Sequence, residues 1–421
     1  MKLLIFDSWT KGSVHIYRIL EELYAKNIKC IFVHIGSWGD DPFREAEEVH
    51  DGLMFRDIRF YGSLTNVLEK ERPDAVLFLS LDPLIHRAFN RLVKKSNIPS
   101  FNLYPGLWSA QNYANHDIPP AGKRDYIKTL FKRSYRAIRY AIPQYLYICF
   151  KTSGSYKDAL NLINEIRLKI SGKTPTKAFH DARTDMVFVF NKYDQIHAHG
   201  KFDIPVDKIH VIGVPDFLKF GMKDDMVGIL GNTDTGNRST VFYIGTGNRG
   251  SHYLLSKDEK YIEFLLKISR ELKKQNITLV VKLHYSRLTV IKKLEENYKH
   301  ELVVCKSEEF LETLKASIAT ISEPSTAALM PIALGMPILF PQFEDFQTLT
   351  FSDTLKEYKR SKTLTRLEDL ANIRLFTKHS SVAAEDLSEI CGPLPISKFS
   401  DRVTTKIYEK MIETKNANQP S

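Results

Sequence analysis

Along the first half of the chain, short apolar runs alternate with amphipathic stretches, the rhythm of a parallel sheet whose crossovers are helices. KLLIFD (2–7), KCIFVHIG (29–36), DAVLFLS (74–80), PSFNLY (99–104), MVFVFN (186–191) and KIHVIGVP (208–215) read as strands. SVHIYRILEELYAKN (13–27), SLTNVLEKERP (63–73) and PLIHRAFNRLVKKSN (83–97) carry their apolar residues at helical spacing.

The rhythm stops at KFGMKDDMVGILGNTDTGNRST (219–240), which is rich in Gly, Asn, Thr and Asp and has no sustained period. A second βα series follows: strands TVFYIG (240–245), ITLVVKLH (277–284), LVVC (302–305), ASIATIS (316–322) and PILF (337–340), with helices over 257–275, 286–298, 308–315 and 325–334. The pattern predicts an α/β protein of two Rossmann-like, doubly wound parallel-sheet domains facing a cleft. The expected limits are 1–218 for the first domain, 219–240 for a linker, 241–361 for the second domain, and 362–421 for a helical, charged tail.

One segment of the first domain breaks its pattern. Residues 122–173 are rich in Lys, Arg and Tyr and read as long helices, with YIKTLFKRSYRAIRYAIPQYLYICF placing cations between aromatic and aliphatic residues. Such an insertion either packs on its own domain or lies on an anionic membrane surface, cations on headgroups and apolar side chains in the acyl boundary. Pro143 is expected to break or kink it.

A length of 421 residues suits two domains, and 43% hydrophobic with 26% charged residues fits an ordinary globular chain. Only four or five apolar residues precede Asp7, which suits a buried strand better than an export signal, and no run approaches a membrane span, so a cytoplasmic protein is expected. Cys30, Cys149, Cys305 and Cys391 lack metal-ligand spacing, so neither a zinc site nor a disulfide framework is expected. The net charge of +10 implies an anionic partner: phospholipid, nucleic acid or a phosphorylated substrate. With no RNP motif, zinc finger or recognition helix, nucleic acid is not expected.

Ligands of open parallel sheets bind beyond the carboxyl ends of the strands, and it is there that the polar residues concentrate. YIGTGNRG (243–250) offers Gly245, Gly247 and Gly250 for close approach of amides to a phosphate, with Thr246, Asn248 and Arg249 beside them; a tight turn explains the glycines equally well. KLHYSR (282–287) gathers Lys282, His284 and Arg287 at a strand exit, where a histidine can act as hydrogen-bond donor or acid to a leaving group. After Ser322, the residues Glu323, Pro324, Ser325 and Thr326 open a helix whose free N–H groups suit an anion. In the first domain Asp7 could cap the next helix or serve as a general base, and Lys11, Gly12 and Ser13 could form an anion-binding turn. Trp38, Asp40, Asp41, Asp82, Trp108 and Asn112 are further cleft candidates, the tryptophans suiting either a sugar ring or a packed loop.

The order strand, Ser/Thr-helix, Gly335-Met336-Pro337, apolar strand, Pro341, then Asp345 and Gln347 resembles the donor-binding signature of GT-B glycosyltransferases. KLH is similar to the KxHP-type element of bacterial capsule and lipopolysaccharide transferases, including those using CMP-activated Kdo or sialic acid, although Tyr285 replaces the usual Pro. VIGVPD (211–216) resembles their hinge strand, so the likeness covers about 200–350. It implies a metal-independent glycosyltransferase whose nucleotide-sugar is a substrate, with no cofactor. It further implies that Ser325 and Thr326 bind the donor phosphate with His284 beside it, that Glu323 contacts nucleoside or sugar, that Asp345 and Gln347 face sugar hydroxyls, and that Gly245 to Arg249 close the pocket. Many UDP-sugar members hold the ribose with a Glu where Met330 stands here, which favours a CMP-sugar donor. The acceptor implied is a growing, lipid-linked surface glycan on the inner face of the cell membrane, taken up by the first domain. A sugar-nucleotide epimerase or hydrolase, or a UDP-sugar transferase, shares this architecture.

Overall fold

The computed structural model describes residues 1–8, 13–38, 45–81, 83–104, 106–107, 137–153, 157–170, 183–231, 238–246, 257–343, 353–377 and 384–417. Among them, one sheet is built from β1 (Lys2–Asp7), β2 (Lys29–His34), β3 (Glu47–His50), β4 (Leu53–Asp57), β5 (Ala75–Phe78), β6 (Ser100–Leu103), β7 (Met186–Val189) and β8 (Ile209–Val211). The other comprises β9 (Thr240–Ile244), β10 (Thr278–Lys282), β11 (Val303–Val304), β12 (Ala319–Ser322), β13 (Ile338–Pro341) and β14 (Ser361–Leu364). The strand orders are β3-β4-β2-β1-β5-β6-β7-β8 and β11-β10-β9-β12-β13-β14. Every pairing is parallel except β3 with β4.

Strand β1 shows why this sequence makes such a sheet. Leu3 and Ile5 belong to one apolar cluster and Leu4 and Phe6 to another, so alternate residues fill cores on opposite faces. A strand covered on both faces must be apolar at every covered position, which is the run that LLIF (3–6) presents. The cluster holding Leu3 and Ile5 continues through Ile212, Val214, Phe217 and Leu230 into Val241, Val281 and Ile321 of the second sheet, so the two domains share one apolar body.

In each sheet the chain leaves a central strand for one side and later returns to the other, which opens a crevice at the strand ends. In the first sheet this lies between β1 and β5, in the second between β9 and β12.

Four elements depart from the reading by pattern. The hairpin β3–β4 follows residues of little periodicity; its outer strand EEVH is polar because it forms a partly solvated edge. Strand β14 falls where the helical tail was expected to begin and extends the second sheet. The helix expected over 325–334 is a 3₁₀ turn, Thr326–Ala328, running into a five-residue helix, Leu329–Ala333. In the basic insertion, a π-helical turn over Ala137–Ala141 leads directly into the helix Ile142–Ser153, so the helix does not break at Pro143; the change of helical pitch falls just before this residue, which has no N–H to give to the ladder.

The segment after 219 is anchored at its far side: the Gly228 and Leu230 N–H groups donate to the carbonyls of Ala333 (2.7 Å) and Leu334 (2.8 Å). The last helix, Phe399–Ala417, returns to pack on the helix Ser13–Ala25 of the first domain. Arg402 ties this return by donating to the carbonyls of Ile212 (3.1 Å) and Pro395 (2.9 Å). The outgoing and returning segments cross at Gly213 and Gly392. A Cβ on Gly392 would lie 2.4 Å from the Phe190 carbonyl oxygen and 2.5 Å from the Gly213 Cα, and its φ of +85° is left-handed. Replacing Gly392 with Ala should therefore cost about 3 kcal/mol, seen as a lowered urea midpoint at unchanged slope.

Candidate active site

The second sheet's crevice is organised by one carboxylate. Glu323 leaves the end of β12 fully buried, and its Oε1 accepts the hydroxyls of Tyr243 on β9 (2.7 Å) and of Tyr261 on the helix Asp258–Lys273. Its Oε2 accepts the Thr246 N–H (2.8 Å), holding the backbone just beyond β9. The Thr246 carbonyl in turn accepts Arg287 Nε (3.2 Å), and the buried guanidinium lies 4.2 Å from the centre of the Tyr261 ring. Burial raises the Glu323 pKa, opposed by the bonds from Tyr261, Thr246 and Tyr243 and by the Arg287 charge. Burial beside that carboxyl holds both tyrosines well above the usual phenol range. Gly245 is required here, since a Cβ would sit 2.7 Å from both the Leu283 side chain and the Tyr261 hydroxyl. Where the resemblance implies a contact with nucleoside or sugar, the structure places Glu323 enclosed, with its oxygens on Tyr243, Tyr261 and the Thr246 N–H.

His284 stands at the exit of β10, exposed. Its Nδ1 accepts the Ser286 N–H (3.2 Å), which leaves the proton of the neutral ring on Nε2. Partial burial and the charges of Lys219, Lys282 and Arg287 lower its pKa, so at neutral pH it is a neutral N–H donor in a cationic setting. Lys282 reaches sideways to the Ser307 hydroxyl (2.8 Å). Ser325 caps the 3₁₀ turn, its hydroxyl accepting the Ala327 N–H (3.2 Å), while Pro324, Ser325 and Thr326 are half-buried. That short helix gives the phosphate site expected there a smaller dipole than a longer one would. Met330 is fully buried in the core.

Across the cleft, Asp7 and Ser8 end β1 at the first sheet's crevice. Asp7 is buried and its Oδ1 accepts the Ser8 N–H (2.7 Å); desolvation pushes its pKa up to about 7. The Ser8 hydroxyl lies 2.8 Å from Nε2 of His86, whose Nδ1 meets the Ser80 carbonyl. A carbonyl only accepts, so Nδ1 carries the hydrogen and Ser8 donates to Nε2. His86 is enclosed against Phe6 at 5.0 Å, and burial holds its pKa down at about 4. Ser8 thus spends its one hydrogen inward, leaving its oxygen as an acceptor. The two sets of strand ends meet near Gly106, after β6, where an added Cβ would be 3.5 Å from Thr326 Oγ1.

Trp38 stacks on Tyr140 of the basic insertion at 5.4 Å and 3°. Lys11, Gly12, Asp40, Asp41, Asp82, Trp108, Asn112, Gly247, Asn248, Arg249, Asp345 and Gln347 lie outside the described residues. Pattern reading missed Tyr243, Tyr261, Ser8 and His86. The available signal was Tyr243 itself, because a tyrosine inside a buried strand has to find a partner for its hydroxyl. Among the described residues, no group of three or more His, Cys, Asp or Glu is placed to hold a metal ion.

No family model matches the chain, and no curated protein matches it. Solved structures do match. S. aureus MnaA in complex with UDP aligns over 100% of this chain and 99% of that one, with a TM-score of 0.50 and 14% identity. The wall teichoic acid polymerase TagF aligns over 98% and 89%, with a TM-score of 0.51 and 14% identity. The UDP-GlcNAc 2-epimerase of Methanocaldococcus jannaschii, with UDP-GlcNAc and UDP, aligns over 97% and 100% at a TM-score of 0.49 and 11% identity. The fold is two Rossmann-like α/β domains facing a cleft, the GT-B arrangement.

Asp7 provides a test of the site's electrostatics. Its folded pKa of about 7 stands above the ordinary 3.8, so the folded chain binds this proton more tightly than the unfolded one, and stability falls as pH rises between those values. Asp7→Asn keeps the acceptor for the Ser8 N–H and removes this loss. At pH 8 it should unfold at a higher temperature than wild type, by at most on the order of 4 kcal/mol in stability, and the gap should close near pH 4.

Proposed function

We propose that this chain is an enzyme of nucleotide-activated sugars that transfers the sugar to a hydroxyl of a growing, lipid-linked surface glycan at the inner face of the cell membrane. The second domain holds the nucleotide and the first holds the acceptor. The observation that carries this reading is the pairing of two strand-end sites in one cleft: a neutral His284 N–H amid Lys219, Lys282 and Arg287, and a buried Asp7 carboxyl whose pKa is about 7.

Each half has a chemical task. Asp7, deprotonated, takes the proton of the attacking hydroxyl, and the Ser8 oxygen accepts a hydrogen bond from a neighbouring donor group of the same molecule. The His284 Nε2–H and the cations around it stabilise the charge that gathers on the departing phosphate. The loop held by Glu323 and the start of the turn at Ser325 and Thr326 complete the nucleotide pocket.

The UDP held by the S. aureus protein of the same fold supports a uridine nucleotide. The KLH resemblance supports CMP. Buried Met330 offers no ribose contact, so in either case that contact comes from another residue. A second reading, an epimerase or hydrolase, uses the same nucleotide pocket without an acceptor.

Melting curves with CMP, UDP, GDP and dTDP rank the donor: UDP is expected to raise the melting temperature most, and no rise with any of the four would refute the nucleotide site. Turnover of UDP-sugars with and without glycan acceptors then separates transfer from epimerisation or hydrolysis. With a base of pKa about 7, kcat/KM should climb with pH and level off above about 7, and Asp7→Asn should lower kcat by roughly 10²–10⁴-fold. A flat profile in wild type would remove Asp7 from the mechanism.

A further inference from the structure

The helix Ile142–Ser153 is apolar on two opposed faces. Tyr145, Ile148 and Cys149 are buried on its inner side, packed with the helix Leu84–Lys95, and Arg87 reaches the Tyr145 hydroxyl (3.3 Å). Its outer side carries Leu146, Tyr147 and Phe150, exposed by 36%, 54% and 64%. A surface helix normally spends its outward face on polar residues.

The next helix, Lys157–Ile170, repeats the anomaly. Leu162 is buried, while Leu160 and Ile163 are 64% and 62% exposed. The two helices pack together, so five large apolar side chains stand outward on one helical hairpin, more than scattered surface residues explain. Arg139, Lys151, Lys157 and Arg167 are exposed among them, as are the uncharged Asn161 and Asn164. Over 137–170 the sequence holds five Lys or Arg against two acidic residues, Asp158 and Glu165, so the hairpin is cationic.

The hairpin is also tied to the rim of the cleft. Tyr140, at its start, stacks on Trp38, which follows the carboxyl end of β2, while Lys95 donates to the Lys151 carbonyl (2.7 Å) at the far end of the first helix. The surface thus begins beside the acceptor side of the cleft and runs along the first domain.

We infer that the outer face of this helical hairpin docks on an anionic lipid bilayer, with Leu146, Tyr147, Phe150, Leu160 and Ile163 entering the headgroup boundary and the basic residues meeting lipid phosphates. Charge selects this partner: the cations flank the apolar side chains, the chain carries +10 overall, and long basic side chains at a bilayer reach the headgroups while their stems stay apolar. The inference concerns location and does not rest on the reaction proposed above.

Flotation of the full chain with vesicles tests it. Binding is expected to phosphatidylcholine mixed with phosphatidylglycerol and not to phosphatidylcholine alone, weakening as salt is raised. The double variant Phe150→Glu/Leu160→Glu should lose at least about tenfold of that binding while keeping the wild-type melting temperature, since both side chains are exposed. Equal binding to the two vesicle types, or unchanged binding by a folded variant, would overturn the inference. So would a wild-type dimer that the variant dissolves, with no vesicle binding by either, because the face would then belong to a second copy. Should the double variant fail to fold, Tyr147→Glu alone gives the same readout. Retained nucleotide-induced stabilisation in a variant that no longer floats would separate this inference from the nucleotide reading.

Discussion

A single carboxylate, that of Glu323, decides where the second domain's strand ends stand. It joins β12 to β9 through Tyr243, to the helix Asp258–Lys273 through Tyr261, and to the backbone of the following loop through Thr246. Taking a carboxyl group out of water is costly unless its oxygens are fully used, and three donors from three separate elements meet that requirement only when all are in place. The crevice is therefore built with the fold and not by the ligand. His284 inherits its position from this arrangement, because Arg287, three residues on, is bound to the Thr246 carbonyl and stacked on Tyr261.

The first domain solves a related problem with opposite polarity. Its crevice contains a histidine kept neutral by burial and a carboxyl whose pKa the same cause lifts to about 7. Where the second domain concentrates cationic and N–H-donating groups, the first presents acceptors, the Asp7 carboxyl and the Ser8 oxygen. A cleft polarised in this way suits a reaction in which negative charge leaves on one side and a proton leaves on the other.

Much of the architecture was legible because strands covered on both faces must be apolar throughout, and LLIF, VFYI and LVV are. The hairpin β3–β4 was not, since an edge strand such as EEVH carries no apolar signature. Site residues followed the same division. Asp7, His284 and Ser325 could be named because polar residues at the ends of apolar runs stand out. The role of Glu323 could not, for its partners Tyr243 and Tyr261 come from a strand and a helix some 80 and 62 positions earlier, a closure that only tertiary packing reveals. Ser8 and His86, 78 residues apart, illustrate the same limit.

The crossing at Gly213 and Gly392 bears on how such a cleft could work. The chain passes between the domains twice, and the two passages touch backbone to backbone, so neither connection stands alone. Arg18 on the first domain's helix pairs with Asp216 just beyond Gly213 (2.6 Å), and Arg402 bridges the two passages through the carbonyls of Ile212 and Pro395. Both connections between the domains are thereby bound to one another as well as to the halves they join.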